Sequence, residues 1–205
     1  MERNIKNLIF DFGGVLVDLN QSRCIKAFSD LGLNVVPYLN SYLSQGIFLN
    51  MELGEISPKD FWEEVRILFH SPDLTDGQLT DAWNSMLETI PVERLEKLRE
   101  LRKRYSKVFL LSNTNVLHWE KGKRLFTVEG KTVNDYFDRI FLSCDLHLSK
   151  PDTKIFEKVL HKTGVLPEET FFIDDSPENC KAAESVGIST FCSRSGGDWL
   201  ELFND

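Results

Sequence analysis

The segment Leu8–Asp18, LIFDFGGVLVD, combines a short apolar run with an aspartate and two glycines where the run ends. Short apolar runs that stop at turn residues are typical of strands buried on both faces of a parallel sheet. Further runs of this kind follow along the chain, and most of them end at polar residues. The predicted strands are Leu8–Phe10, Val108–Leu111, Ile140–Leu142, Phe171–Ile173 and, with the weakest pattern, Ile188–Cys192.

Helical patterns lie between these strands. Thr153–Thr163 has its apolar residues on one stripe, and Pro177 suits the first turn of a helix that runs to Val186. Pro91 begins a further helix, which leads into the strand at Val108. Strands that alternate with helices predict an α/β fold, here a Rossmann-like, doubly wound parallel sheet.

Residues 21–90 break this alternation. Ser57, followed by a proline, has the pattern of an N-cap, and Thr75 begins a second helix. Apolar residues recur at helical spacing on both helices: Phe61, Trp62, Val65, Leu68, Phe69, Leu79, Trp83, Met86 and Leu87. We interpret the aromatic ones as a hydrophobic core and not as a platform for a sugar. The predicted organisation is an α/β domain, residues 1–20 and 91–205, with residues 21–90 inserted as a helical domain after the first strand.

The composition is that of an ordinary globular protein, since 41% of the 205 residues are hydrophobic and 27% are charged. Asp and Glu total 32 against 24 Lys and Arg, and the net charge of −8 argues against binding nucleic acid over the whole surface. The mixed charges of Arg94–Arg104 predict a solvated helix face. We therefore expect no nucleic-acid partner, and the oligomeric state is left open.

Cysteine and histidine spacing indicates neither a disulfide framework nor a zinc site. The widely spaced residues concerned are Cys24, Cys144, Cys180, Cys192, His118, His147 and His161. The apolar stretch from Leu8 to Leu19 is too short and too acidic for a signal peptide or a membrane span. These features predict a cytoplasmic protein without a membrane partner.

Polar residues follow the predicted strands at their carboxyl ends, where open parallel sheets bind their ligands. They are Asp11, Ser112, Asn113, Asp174, Asp175 and, after a short loop, Lys150. Three carboxylates close together repel one another unless a cation lies among them, and an all-oxygen site suits Mg²⁺. Lysine and hydroxyl groups orient phosphoryl oxygens, and a carboxylate facing such a group can act as a nucleophile. The sequence therefore predicts Mg²⁺-assisted phosphoryl transfer that ends in hydrolysis.

Each of these residues also has a purely structural alternative. Asp11 beside two glycines can form a simple turn, and Ser112 and Asn113 can cap the helix that follows them. Lys150 can be a solvated residue at a helix entry, and Asp174–Asp175 can form an acidic helix cap. Only their combination at successive strand ends favours a site.

Four segments resemble the four motifs of the haloacid dehalogenase (HAD) superfamily, in the same order and with similar spacing. They are IFDFGGVLVD (9–18), LLSNTN (110–115), LSKP (148–151) and FFIDDSPEN (171–179). The match spans about residues 5 to 192, and the insertion after the first strand is similar to that family's small helical cap. The chain looks most like the α-D-glucose-1-phosphate phosphatase type, which is related to the phosphatase domain of soluble epoxide hydrolase. ELGEIS (52–57) and SNTNVLHW (112–119) also resemble that type.

The resemblance implies a role for each matching residue. Asp11 would be the nucleophile, Ser112 and Asn113 would hold the phosphoryl oxygens, and Lys150 would screen charge between nucleophile and phosphate. The implied Mg²⁺ ligands are Asp11, Asp175, the backbone carbonyl of Gly13 and, as a weaker ligand or an anchor, Asp174. The implied partner is a small phosphorylated metabolite.

Gly13 departs from the wider superfamily pattern, in which a second aspartate two residues after the nucleophile protonates the leaving group. Loss of a general acid costs on the order of 10² to 10⁴ in rate. The glucose-1-phosphate type resembles this chain in having glycine there, so Gly13 does not by itself imply an inactive enzyme. We expect a substrate whose leaving group needs little help, such as a hexose 1-phosphate, or an acid supplied by Asp18 or the cap.

Three rival functions remain open. A haloacid dehalogenase shares the aspartate nucleophile but needs no magnesium, so Asp174 and Asp175 argue against it. A phosphoglucomutase relative is expected to keep the aspartate that Gly13 replaces. A noncatalytic ligand-binding module with the same fold is the alternative that is not an enzyme.

Overall fold

Five parallel strands form one sheet in this computed structural model, which describes residues 4–39 and 46–204. The strands are β1 (Asn7–Phe10), β2 (Lys107–Ser112), β3 (Arg139–Leu142), β4 (Thr170–Asp174) and β5 (Ser189–Cys192). Their order across the sheet is β3-β2-β1-β4-β5. The doubly wound parallel sheet predicted from the sequence is confirmed, including its weakest strand.

The helices in the described part of the chain are α1 (Gln21–Asp30), α2 (Val36–Leu39), α3 (Ile47–Glu52), α4 (Pro58–Leu68), α5 (Asp76–Asn84), α6 (Val92–Arg104), α7 (Val116–Gly122), α8 (Ser143–Leu146), α9 (Thr153–Thr163) and α10 (Pro177–Ser185). Short 3-10 helices cover Lys123–Leu125, Val128–Gly130, Val133–Asp135, Pro167–Glu169 and Asp198–Phe203. None of the helices in residues 4–39 and 46–204 has the length and apolar character needed to cross a bilayer.

Register brings the carboxyl ends of the central strands to one level. Phe10, the last residue of β1, pairs with Leu110 of β2 on one side and with Ile173 of β4 on the other. The backbone N–H of Asp11 then donates to the carbonyl of Ile173 at 2.9 Å. The residues that follow these positions therefore meet at the same edge of the sheet.

Both faces of the sheet are buried, as the uninterrupted apolar runs predict. Leu8 and Phe10 face a core that includes Leu98 of α6. Ile9 faces the opposite side, where Phe156 of α9 packs. The alternation of side chains along β1 thus places helices on both faces of the sheet.

Helices α1, α3, α4 and α5 share a separate hydrophobic core between Cys24 and Trp83. Phe61, Trp62 and Trp83 are all buried in it, which confirms their prediction as core residues. The stacked rings of Phe61 and Trp83 have centroids 4.8 Å apart.

Two predictions about the helices are wrong. Met86 and Leu87 were predicted on the helix that carries Trp83, but α5 ends at Asn84. Leu87 instead bridges to Leu19, because the chain leaving and re-entering the α/β part forms a short antiparallel ribbon. The cross-ribbon bonds include Asn20 N–H to Met86 O at 2.8 Å.

Arg94 is the second correction, since the solvated face predicted for Arg94–Arg104 does not include it. Its side chain is 9% exposed and its guanidinium forms an ion pair with Asp18 at 2.7 Å. The same nitrogen donates to the carbonyl of Leu16 at 3.0 Å. Because α6 begins directly after the ribbon, its first turn lies over the loop that follows β1. The buried guanidinium of Arg94 needs a charged partner there, and Asp18 provides it.

Candidate active site

Three carboxylates meet where β1 and β4 end. Asp11 directly follows β1, Asp174 is the last residue of β4, and Asp175 comes next. One oxygen from each lies within 4.8 Å of the others. Asp11 and Asp174 are buried, whereas Asp175 is exposed. The predicted convergence of these three side chains is therefore present in the structure.

Lys150 is the positive group of this cluster. Its ammonium donates to Asp11 Oδ1 at 2.7 Å, to Asp174 Oδ2 at 2.6 Å and to the carbonyl of Leu111 at 3.1 Å. All three ammonium hydrogens therefore have acceptors, and the residue is almost fully buried. The alternative of a solvated lysine at a helix entry is wrong.

Burial and mutual repulsion shift the pKa values of this cluster. Burial raises the pKa of Asp11 to about 7, with Lys150 opposing the rise and Asp174 adding to it. Burial and the neighbouring Asp174 also raise the pKa of Asp175. Burial alone would lower the pKa of Lys150, but Asp11 and Asp174 hold it above its usual value. One ammonium does not neutralise three carboxylates, so the site favours a further cation.

Asp174 is held from both sides. While its Oδ2 accepts from Lys150, its Oδ1 accepts from the Ser176 N–H at 2.8 Å and from the Asn179 amide at 2.9 Å. These bonds fix the carboxylate at the start of α10. This geometry suits the anchoring role that the sequence resemblance offered for Asp174.

Asn113 positions Lys150 through its side chain. Its amide nitrogen donates to Lys150 O at 2.8 Å, and its amide oxygen accepts from Lys150 N–H at 2.9 Å. Ser112 is buried at the end of β2. Neither residue caps the next helix, because Asn115 does so by accepting from the Leu117 and His118 N–H groups at 3.0 Å. The capping alternative for Ser112 and Asn113 is therefore wrong.

A model of the haloacid dehalogenase-like hydrolases matches residues 5–187 of this chain. The protein belongs to this family. A D-ribitol-5-phosphate phosphatase from Bacteroides thetaiotaomicron is 37% identical over 200 residues, which cover 96% of each chain. A HAD family enzyme from the same species, solved as an aspartate-to-alanine mutant with magnesium and inorganic phosphate, is 41% identical with a TM-score of 0.95 over 98% of this chain and 100% of that one. A predicted HAD-like hydrolase from Porphyromonas gingivalis is 35% identical with a TM-score of 0.89, over 97% and 96% of the two chains.

Gly14 leaves the space that the Asp175 side chain occupies in this site. Its φ is +74°, and a Cβ atom there would lie 2.3 Å from Asp175 Oδ2. A side chain would therefore both strain the backbone and displace the carboxylate. The second glycine of the first HAD motif is needed for the close approach of two strand ends.

Gly13 and Asp18 are the two positions in this loop that bear on protonation of a leaving group. A Cβ atom at Gly13 would lie 3.0 Å from Leu19 Cδ1, so the half-exposed Leu19 side chain covers this position. Asp18 is ion-paired with Arg94. That pair ties Asp18 to α6, and the roles of Asp18 as an acid and of the Gly13 carbonyl as a ligand stay predictions.

Ser143 is a buried polar residue that the motif pattern missed. Its hydroxyl oxygen accepts from the Thr114 N–H at 2.9 Å, and its hydrogen is shared between Glu52 O at 2.8 Å and Thr114 O at 2.9 Å. The signal was present, because Ser143 directly follows β3 as Asp11 follows β1. Ser143 thus joins the loop after β2 to the end of α3.

The turn after α3 docks against α8. His147 Nδ1 lies 2.7 Å from Leu53 O, so this nitrogen carries the proton and donates. Gly54 has a φ of +67°, and a Cβ atom there would lie 2.2 Å from Cys144 O. The ELGEIS segment therefore packs closely on the element that precedes the Lys150 loop.

Proposed function

We propose that this protein is a Mg²⁺-dependent HAD phosphatase that hydrolyses a small phosphorylated metabolite, a sugar or sugar-alcohol phosphate, through an aspartyl-phosphate. The observation that carries the proposal is the buried Lys150 ammonium bonded to both Asp11 and Asp174, beside a third carboxylate. One ammonium among three carboxylates leaves two negative charges without compensation, and one of these carboxylates, Asp11, can act as a nucleophile.

The donor set fits magnesium. We propose Asp11, Asp175 and the Gly13 carbonyl as ligands, with Asp174 as a weaker ligand or an anchor, because carboxylate and carbonyl oxygens suit this cation and the cluster has excess negative charge. When bound, Mg²⁺ would supply charge neutralisation and Lewis-acid polarisation at the phosphoryl oxygens. Magnesium in a HAD relative that is 41% identical to this chain supports the assignment.

The protein groups would act by position and charge. Lys150 holds Asp11 Oδ1 and so orients the carboxylate for attack on phosphorus. The substrate alkoxide leaves, and water then hydrolyses the aspartyl-phosphate and regenerates the carboxylate. Ser112, and Asn113 through its backbone N–H and second amide hydrogen, are proposed donors to the phosphoryl oxygens. Asn113 also keeps Lys150 in place.

Two classes of substrate differ in whether the leaving group needs a proton, which Gly13 cannot supply. The similarity to a D-ribitol-5-phosphate phosphatase favours a primary phosphate of a polyol or sugar, whose alkoxide needs a proton when it leaves. A hexose 1-phosphate has a better leaving group and suits a loop without the second aspartate. The deciding measurement is kcat/KM for D-ribitol 5-phosphate, glucose 1-phosphate and glucose 6-phosphate, in both the natural protein and Gly13→Asp. A preference for the 1-phosphate that the variant reduces would support the leaving-group argument.

The activity itself is tested with that panel in Mg²⁺ and in EDTA. We expect turnover only with Mg²⁺, and its loss in Asp11→Asn, which keeps the shape but not the nucleophile. Asp73→Asn, at an exposed site between α4 and α5, is the matched control and should retain activity. Dechlorination of 2-chloropropionate in EDTA would favour the dehalogenase, and no turnover of any substrate would favour the noncatalytic module.

We also propose that residues 21–90 form a cap domain on a core of residues 1–20 and 91–205. The separate hydrophobic core of helices α1, α3, α4 and α5 supports this division. A cytoplasmic location stays a prediction.

A further inference from the structure

Two cysteines lie side by side behind the carboxylate cluster. Cys180 is in the first turns of α10 and Cys192 is the last residue of β5. The side chain of Cys192 lies within hydrogen-bonding reach of the Cys180 thiol. Each also contacts the main chain of the acidic loop, Cys180 Sγ at 3.8 Å from Asp174 O and Cys192 Sγ at 3.8 Å from Asp175 O.

The two thiols also line one surface cavity, which has a volume of about 740 Å³. Cys180 is buried, whereas Cys192 is only partly so. A small solute in the cavity therefore reaches Cys192 first and finds Cys180 as the adjacent thiol.

We propose that Cys180 and Cys192 are a redox-active pair that a hydroperoxide converts into an intramolecular disulfide. With hydrogen peroxide, Cys192 gives up its thiol proton, its sulfur attacks one peroxide oxygen and the O–O bond breaks. The departing hydroxide takes that proton and leaves as water, so Cys192 becomes a sulfenic acid. The sulfur of Cys180 then attacks the sulfenic sulfur and the S–O bond breaks. Its hydroxide leaves as a second water with the proton of Cys180. In sum, two thiols are oxidised and one hydrogen peroxide is reduced to two waters.

The disulfide would disturb the acidic loop, because it has no S–H to donate to the carbonyls of Asp174 and Asp175. It would also draw the first turns of α10 towards β5. The same part of α10 carries Asn179, whose amide holds Asp174 Oδ1. Groups that orient metal ligands typically contribute 10- to 100-fold in metal affinity. Oxidation is therefore expected to weaken Mg²⁺ binding.

The pair is tested on the full chain after reduction and treatment with a small excess of hydrogen peroxide. Free thiols should fall from four to two, with a mass loss of about 2 Da and a cross-linked peptide containing both residues. Cys180→Ser and Cys192→Ser should not form this cross-link. Cys144→Ser removes another partly buried thiol and is the matched control, which should form it normally.

Four remaining thiols in the treated protein, a gain of oxygen mass without the cross-link, or a disulfide to Cys24 or Cys144 would overturn the pairing. The effect on the loop is measured by calorimetric titration with Mg²⁺ alone. We expect the dissociation constant to rise by about tenfold on oxidation and to recover with dithiothreitol. An unchanged constant in the cross-linked protein would refute the coupling. Because the cross-link is read by mass, its failure is distinguishable from a failure of the phosphatase proposal.

Discussion

Lys150 carries a buried positive charge that two buried carboxylates require. Removing one member of such a group leaves charge without compensation in a medium that solvates it poorly. A change at Lys150 therefore affects both Asp11, the proposed nucleophile, and Asp174, which holds the acidic loop. Because buried ion pairs contribute little net stability, the proposed role of Lys150 is to orient Asp11.

We expect Lys150→Met to abolish turnover and to destabilise the metal-free protein by about 3 to 5 kcal/mol near pH 7. The cost should be larger at about pH 8.5, because Lys150 opposes the rise of the Asp11 pKa and its loss lets that pKa rise further above 7, so that the variant loses stability over a range in which the natural protein does not. The measurements are thermal unfolding at both pH values and phosphatase activity. Lys154→Met, on the exposed face of α9, is the control and should change neither. Retained turnover in Lys150→Met would remove the lysine from the mechanism.

The raised pKa of Asp11 predicts a pH dependence of stability. Its folded pKa of about 7 lies above the ordinary value of 3.8, so between these values the folded state binds more protons than the unfolded state. Stability of the metal-free protein should then fall as pH rises through this range, by an amount on the order of a few kcal/mol. His118 acts in the opposite direction, because burial lowers its pKa to about 4 and stability is lost as pH falls.

The contribution of Asp11 is isolated by comparing the natural protein with Asp11→Asn. Tm is measured from pH 4.5 to 7.5 in EDTA and again in Mg²⁺. The difference between the two proteins should grow with pH in EDTA and flatten in Mg²⁺, since the cation compensates the charge. Parallel curves under both conditions would contradict the placement of Asp11 in the carboxylate cluster.

At the scale of the elements, the end of α3 and the turn that follows it pack closely against α8. We call this contact the joint. Ser143 bonds to the carbonyl of the last residue of α3, His147 bonds to a carbonyl of the turn, and Gly54 leaves no space above Cys144. Ser143 also bonds to the loop after β2, which carries Ser112 and Asn113. The joint therefore links the helical insertion to the proposed phosphate-binding residues.

Gly54→Ala should separate this joint. Both Gly54 and Gly32 have positive φ, but a Cβ atom at Gly32 meets nothing within 4 Å. Gly32→Ala therefore measures backbone strain alone, about 1 kcal/mol or slightly more. We expect Gly54→Ala to lower the free energy of unfolding by clearly more than Gly32→Ala does. It should also lower kcat/KM, which Gly32→Ala should leave unchanged. Chemical unfolding and steady-state kinetics measure these effects. Equal losses in the free energy of unfolding for the two variants would mean that Gly54 and Cys144 are not in close contact.

Local patterns predicted the elements well and their contacts poorly. The bounds of α9 matched the prediction, because its apolar stripe and the glycine after it are local signals. The candidate site residues were predictable because each lies at the end of a strand or in the loop that follows it. The ribbon that carries Leu87, the burial of Arg94 and the joint at Ser143 depend on partners at least 29 residues away, which periodicity does not specify.

At the scale of the whole molecule, the helical insertion has a hydrophobic core of its own and meets the α/β part at the short ribbon and at the joint with α8. The α/β part holds the three carboxylates, whereas helices α1, α3, α4 and α5 bury their aromatic residues among themselves. If the two parts are separate domains, each has its own unfolding equilibrium and a ligand of one does not protect the other. If they unfold together, a ligand protects both equally.

Hydrogen exchange of the full chain with and without Mg²⁺ distinguishes these cases. At 100 times its dissociation constant, Mg²⁺ stabilises the states that bind it by about 2.7 kcal/mol, which slows exchange through global opening by about 100-fold. We expect this slowing for the amides of β1, β2 and β4, and little change for those of α1, α4 and α5. Asp11→Asn should show the effect nowhere, because it weakens the site. Equal slowing of the helical amides in the natural protein would show one cooperative unit and would contradict a cap domain that is stable in its own right.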